Sequence, residues 1–250
     1  MRSRPSGDGA ALSGAAVTVR DTTEHMGGTM KHNAVRTLAA VAGDVLPGGH
    51  TLWPAGWPGE IEAALLDAVF SARATYGTPT SGVRRVVTAW RAHRGTRLDD
   101  LTALASFTSA PDRLAAVLGN RQRVPGNYTT KAEAAAAAAA ALVTSGIDSS
   151  GRIGDGRNAW DALTGVPGLG TTTWETFVLQ LGLVGPLALG EICGFVAAAL
   201  DDGRSDIPET EALGLLGAAA ASLDVPQTAL LNAVWRSRRT RGPARKPLSA

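Results

Sequence analysis

Leu163-Thr-Gly-Val-Pro-Gly-Leu-Gly170 runs directly into Thr171-Thr-Thr-Trp-Glu-Thr-Phe-Val-Leu-Gln-Leu181, and together these segments predict a helix, a hairpin and a second helix. The first helix, about Asn158 to Leu163 with Trp160 and Leu163 three apart, stops at Gly165, because glycine enters the left-handed conformation that closes a helix without a Cβ penalty. Pro167 blocks a helical restart. Thr172 and Glu175 have the spacing of a capping box, so Thr172 is expected as the N-cap of the second helix. Trp174, Phe177, Val178 and Leu181 then recur at i, i+3, i+4 and i+7, which predicts one buried face. The loop between the helices contains Gly168 and Gly170, which carry no side chains. With Val166, Thr171 and Thr172 they set backbone N–H groups at the positive end of the second helix, where a phosphate oxygen is favoured. Such a loop is a grip on a nucleic-acid backbone that does not read its sequence.

Working outward, helical patterns fill most of the chain. Upstream of the hairpin they cover 34 to 46, Glu60 to Thr75, Gly82 to about His93, Leu98 to Leu104, Pro111 to Gly119 and Thr130 to Thr144. Glu60 to Thr75 is apolar on most sides and should lie centrally. Gly82 to His93 buries Val83, Val86, Val87 and Trp90, leaving Arg84, Thr88 and Arg91 on another face. Thr130 to Thr144 is mostly alanine, the best helix former and one that lets helices approach closely. Downstream come Ala188 to about Leu200, Pro208 to Leu223 and Pro226 to Arg236. No alternating strand pattern of convincing length occurs, so the fold is expected to be all-α with about ten helices. Residues 1–33, rich in Gly, Ser and Thr, are expected to be a disordered tail with Met26 or Met30 as alternative starts; 34–238 form the helical domain, and 239–250 a basic disordered tail.

Val166-Pro-Gly-Leu-Gly170, set between two helices, resembles the hairpin of the helix-hairpin-helix DNA glycosylase superfamily, the group that includes endonuclease III. Leu66-Asp-Ala-Val-Phe-Ser-Ala-Arg-Ala-Thr75 resembles that family's Leu-Ser-Ala-Gln-Ala-Thr segment, and Asn127-Tyr-Thr-Thr-Lys-Ala-Glu133 resembles its Tyr-Asn-x-Lys-Ala helix start. The three occur in the family's order and span about residues 58 to 200. The resemblance implies two lobes with the hairpin at the mouth of the cleft between them. It implies double-stranded DNA, damaged or not, as partner. Arg73 stands where the family has a polar residue that fills the gap left by an extruded nucleotide; capping its own helix is the alternative role. Lys131 matches a structural lysine.

The catalytic positions are the exception to the resemblance. Bifunctional members carry a lysine just past the hairpin, whose amine attacks the sugar and forms a Schiff base; Thr172 stands there. The aspartate expected on the following helix is replaced by Leu189, which shares an apolar stripe with Ile192, Cys193 and Val196. Glu191 is the nearest carboxylate and a weak catalytic candidate, more readily an exposed helix residue; Asp155, Asp161 and Glu175 are more distant. Three readings follow: a DNA-binding protein linked to repair but without base excision, a monofunctional glycosylase with a relocated carboxylate, and a helical interaction protein that binds no DNA.

Composition fits the first two. The 250 residues are 44% hydrophobic with a net charge of only +2, yet the basic residues cluster. Arg84 to Arg97 contains five arginines and one histidine without an acid, and the last fifteen residues hold Arg236, Arg238, Arg239, Arg241, Arg245 and Lys246 without an acid. Either group suits phosphate, with Arg84 and Arg91 the candidates in the first, or is simply a solvated face. Cys193 is the only cysteine, which excludes a disulfide within the chain and a four-cysteine iron–sulfur cluster. The histidines lack ligand spacing, so no metal and no cofactor are expected. Without a span-length apolar run or a signal-like start, the expected setting is cytoplasmic and nucleoid-associated, without membrane contact and as a monomer.

Overall fold

The computed structural model describes residues 19–46, 55–153, 157–201 and 207–240. Among them are eleven α-helices: α1 Val19–Val45, α2 Ile61–Phe70, α3 Gly82–Arg94, α4 Thr102–Ala105, α5 Pro111–Val117, α6 Lys131–Thr144, α7 Arg157–Thr164, α8 Thr171–Gln180, α9 Pro186–Leu200, α10 Glu209–Ser222 and α11 Gln227–Thr240. The fold is all-α, as the periodicity predicts, and no β-strand occurs among the described residues.

The ends of these helices follow from local chemistry. Pro111 and Pro186 open α5 and α9, where the missing N–H would have had no helical partner. Thr130 caps α6, its side chain accepting the N–H of Glu133 at 3.1 Å. Helix α2 stops at Phe70, short of the predicted Thr75. The buried ammonium of Lys131 donates to the carbonyls of Phe70 and Ala72 at 3.0 and 2.8 Å, satisfying acceptors that another turn would have used. Arg73 then adopts a left-handed conformation, φ 50°, which turns the chain away.

Helix α1 starts at Val19, well before the expected boundary at residue 34. Leu38 and Ala42 are fully buried, with Ala39 and Leu46 beside them, so this end of the helix is anchored by packing. Extending an anchored helix adds one hydrogen bond for each residue fixed and requires no new nucleus. Trp53, Asp155 and residues 241–250 lie outside the described residues.

Two apolar cores result. The larger gathers α2 through α8, around Ile61, Leu65, Phe70, Trp90, Leu142 and Phe177. The smaller joins α1 to α9, α10 and α11, around Leu38, Ile192, Leu216, Leu230 and Trp235. Helix α8 serves both, with Phe177 and Val178 in the first and Leu179 in the second. Residues 173 to 180 are therefore all buried, and the single buried face predicted for this helix becomes a burial on every side.

That burial includes polar groups that bond across the lobe boundary. Gln180 Nε2 donates to Asn232 Oδ1 at 3.0 Å, and Trp235 Nε1 donates to Thr176 Oγ1 at 3.0 Å. Arg236 from α11 pairs with Asp67 of α2 at 2.6 Å. Asp67 also accepts from Trp57 Nε1 at 3.0 Å and Ser71 Oγ at 3.1 Å. A buried carboxylate persists only when paired in this way.

Candidate nucleic-acid interface

The hairpin between α7 and α8 has the expected form. The N–H of Gly165 bonds to the carbonyl of Asp161 at 3.0 Å and closes α7, and the N–H of Leu169 bonds to the carbonyl of Val166 at 3.0 Å. Val166 and Leu169 point inward and are buried, while Pro167, Gly168, Gly170 and Thr171 are exposed. Among the described residues, the N–H groups of Gly168 and Gly170 have no backbone acceptor.

The two glycines answer different needs. Gly168 has φ +88°, and a Cβ there would lie 2.5 Å from Cγ1 of Val124 in the loop that packs against the hairpin. Gly170 has φ −135° and open space where its side chain would be. Gly168 is required by the fold; the fold places no such demand at Gly170.

The cap of α8 differs from expectation. Gly170 is the N-cap, helix begins at Thr171, and no side chain caps it. Glu175 is almost fully buried and turns to the next helix, where its Oε2 accepts the N–H of Ala188 at 3.0 Å. The capping-box spacing is thus occupied by a residue serving α9, which leaves the first N–H groups of α8 to solvent or a ligand.

Between the lobes lies a cleft of about 770 Å³ whose lining includes Arg73, Tyr76, Arg236 and Arg239. Arg236 stacks over the Tyr76 ring, 3.9 Å from its centroid. Burial first, then the charge of Asp67, raises the Tyr76 phenol far above its ordinary value, so it is a neutral hydroxyl. Arg239 donates to Thr176 Oγ1 at 3.1 Å and lies over Trp235. Thr176 is one turn along α8 from Thr172, whose carbonyl accepts its hydroxyl at 2.8 Å. Thr172, just after the hairpin, is therefore one helical turn from the residue that holds Arg239.

The remaining sequence candidates divide. Arg73 is exposed and lines the cleft, together with a smaller cavity of about 370 Å³ that contains Arg85 and Gln122. Arg84 is half-buried, and its charge acts on Tyr76. Arg91 is turned to Glu60 in a two-pronged ion pair and over Trp57, so its charge is already neutralised. Glu191 pairs with Arg238 at 2.8 Å on the outer side of α9 and does not line the cleft. Leu189 and Cys193 are half-buried; the fully buried stripe of α9 is Ala188, Ile192 and Val196. Asp161 is exposed and paired to Arg157 at 3.4 Å.

Sequence reasoning misses Asp67, Tyr76 and Thr176, and names Arg239 only as part of the basic C-terminal group. Only the spacing of Arg236 and Arg239, one face of a helix, offered a signal. Among the described residues no cluster of His, Cys, Asp or Glu could hold a metal ion, and no helix is long and apolar enough to cross a membrane.

No curated protein and no solved structure matches the chain. A family model described as Domain of unknown function (DUF8548) matches residues 36–239, which takes in both cores, the hairpin and the cleft, and the chain belongs to that family.

Proposed function

We propose that this protein binds the backbone of double-stranded DNA through the Val166–Thr172 hairpin, in a role linked to repair, without excising bases. The observation that supports this most directly is Gly170: an exposed amide, with no side chain and no fold-imposed need for glycine, at the uncapped N-terminus of a ten-residue helix. The arginine-lined cleft between the lobes suits a negatively charged partner. The absence of Schiff-base chemistry is supported by Thr172, which has no amine, and that of excision by Leu189, which has no carboxylate, and by Glu191, whose carboxylate is engaged by Arg238 away from the cleft. The protein acts in this reading as a cytoplasmic, nucleoid-associated monomer needing no cofactor.

Fluorescence anisotropy with a labelled duplex at several salt concentrations tests the proposal. Binding should weaken steeply with salt, as counterion release requires. Gly170→Asp sets a carboxylate against phosphate without disturbing the fold, and should weaken binding by about tenfold. Unchanged affinity in that variant, or no duplex binding at low salt, overturns the reading.

A further inference from the structure

The hairpin does not account for the chemistry of the cleft between the lobes. Three guanidinium groups line it from two walls, Arg73 from the turn after α2 and Arg236 and Arg239 from the last turns of α11. The carboxylates within reach are Asp44 in the lining and Asp67, which is buried and engaged with Arg236, so cations outnumber anions. Arg84 adds positive charge near Tyr76.

Two of these groups are held in place before any ligand arrives. Arg236 is fixed by Asp67 at 2.6 Å, by Ser71 Oγ at 3.1 Å and by the Tyr76 ring. Arg239 is fixed by Thr176 and Trp235. A guanidinium already positioned by its neighbours loses little freedom on binding. Desolvation, then repulsion from Arg236, lowers the pKa of Arg239, although the residue stays exposed overall; an anion would relieve that repulsion. Arg73 has no ion-pair partner among the described residues, and its φ of 50° places it at the cleft at a cost of about 1 kcal/mol.

We infer that this cleft is a phosphate-monoester site in which Arg73 and Arg239 supply the charge and Arg236, paired with Asp67, lines the wall. Cations lining one cleft from two separate segments, the turn after α2 and the end of α11, suit a tetrahedral dianion, whereas a planar carboxylate is satisfied by one fork. A recess between lobes admits a terminal phosphate more readily than the continuous backbone of a duplex. The phosphate belongs either to the 5′ end of a DNA strand or to a small free ligand. The inference is independent of the hairpin reading.

Calorimetric titration of the full chain with inorganic phosphate, and with short duplexes carrying a 5′-phosphate or a 5′-hydroxyl, tests it. Inorganic phosphate should bind one site, and Arg239→Gln should weaken it by about tenfold. Arg73→Gly should weaken it similarly while raising Tm, since glycine adopts that backbone without strain; a merely structural arginine would not separate the two readouts. Tighter binding of the 5′-phosphorylated duplex identifies a strand end as the source. Equal binding of the two duplexes, with phosphate binding retained, identifies a free ligand. Gly170→Asp should leave phosphate binding unchanged, so failure of the hairpin reading would be visible separately. No phosphate binding, or binding unaffected by both arginine variants, overturns the inference.

Discussion

The side chain of Glu175 crosses from α8 to the first turn of α9, where its Oε2 accepts the N–H of Ala188 at 3.0 Å. Gly185, the N-cap of α9, lies so close that a Cβ would overlap the carboxylate. Glu175→Ala leaves a buried donor unsatisfied, and Gly185→Ala forces the carboxylate aside, so each should cost about 1–3 kcal/mol in denaturant unfolding. The double variant should cost less than the sum, because the clash disappears with the carboxylate. Strict additivity would show that the two residues do not act on each other.

Gly168 and Gly170 should respond oppositely to alanine. Gly168→Ala combines a left-handed backbone with contact at Val124 and should cost on the order of 2 kcal/mol. Gly170→Ala meets neither obstacle and should be neutral within about 0.5 kcal/mol. Equal thermal shifts for both variants would contradict this division.

Lys131 closes α2 through Phe70 and Ala72 and also donates to Gln122 Oε1 at 3.2 Å. Lys131→Met keeps the bulk but strands these acceptors, for an expected loss of about 2–3 kcal/mol. Hydrogen exchange should show faster opening at Ala74, whose N–H bonds to the Ser71 carbonyl at 3.3 Å in the same turn. Unchanged exchange there would mean that the turn carrying Arg73 is held by other contacts.

Glu62 is fully buried, accepting from Trp90 Nε1 at 2.7 Å and from the N–H of Asp100 at 3.1 Å. Burial is the largest influence and raises its pKa above 4.5, partly opposed by Trp90, the Asp100 N–H and Arg94. A carboxyl whose folded pKa is raised favours the folded state most below its unfolded value, and that contribution is lost as pH rises through the folded value. Stability should therefore fall as pH climbs above 4.5, and Glu62→Gln should flatten that part of the profile. An unchanged slope in Glu62→Gln would assign the pH dependence to other groups.

A Schiff base at an abasic site needs a free amine near the sugar. Thr172 supplies none, and the Lys131 amine is committed to carbonyls. Borohydride treatment with an abasic-site duplex should trap no covalent adduct, and Glu191→Gln should match wild type in any residual excision. A trapped adduct, or excision that disappears with Glu191→Gln, would return the chain to the catalytic readings.

Periodicity made most helices legible, because burial of one face is written into local spacing. The central placement of α2 followed from its apolar residues, and the Gly165–Pro167 stop from backbone geometry. The roles of Glu62, Asp67, Gln180 and Asn232 were not legible. Each depends on a partner distant in sequence, Asp67 on Arg236 and Gln180 on Asn232, and local pattern assigns such polar residues to the surface. Glu175 shows the same limit: the spacing that signals a cap was real, but the helix it caps lies ahead of it. The cleft arginines were visible as residues, while their sharing of one cleft depends on how α11 docks against α2 and α8.

The smaller core joins α1 to α9, α10 and α11, bringing Leu38 and Ala42 against a surface completed by Leu216 and Leu230. During synthesis α1 leaves the ribosome long before α9, α10 and α11 exist. The larger core, formed from residues in between, can close in the meantime, since contacts nearer in sequence cost less chain entropy. Helix α1, made before every helix it packs against, is then among the last to be buried, and until α11 arrives its apolar stripe remains open to whatever else is within reach.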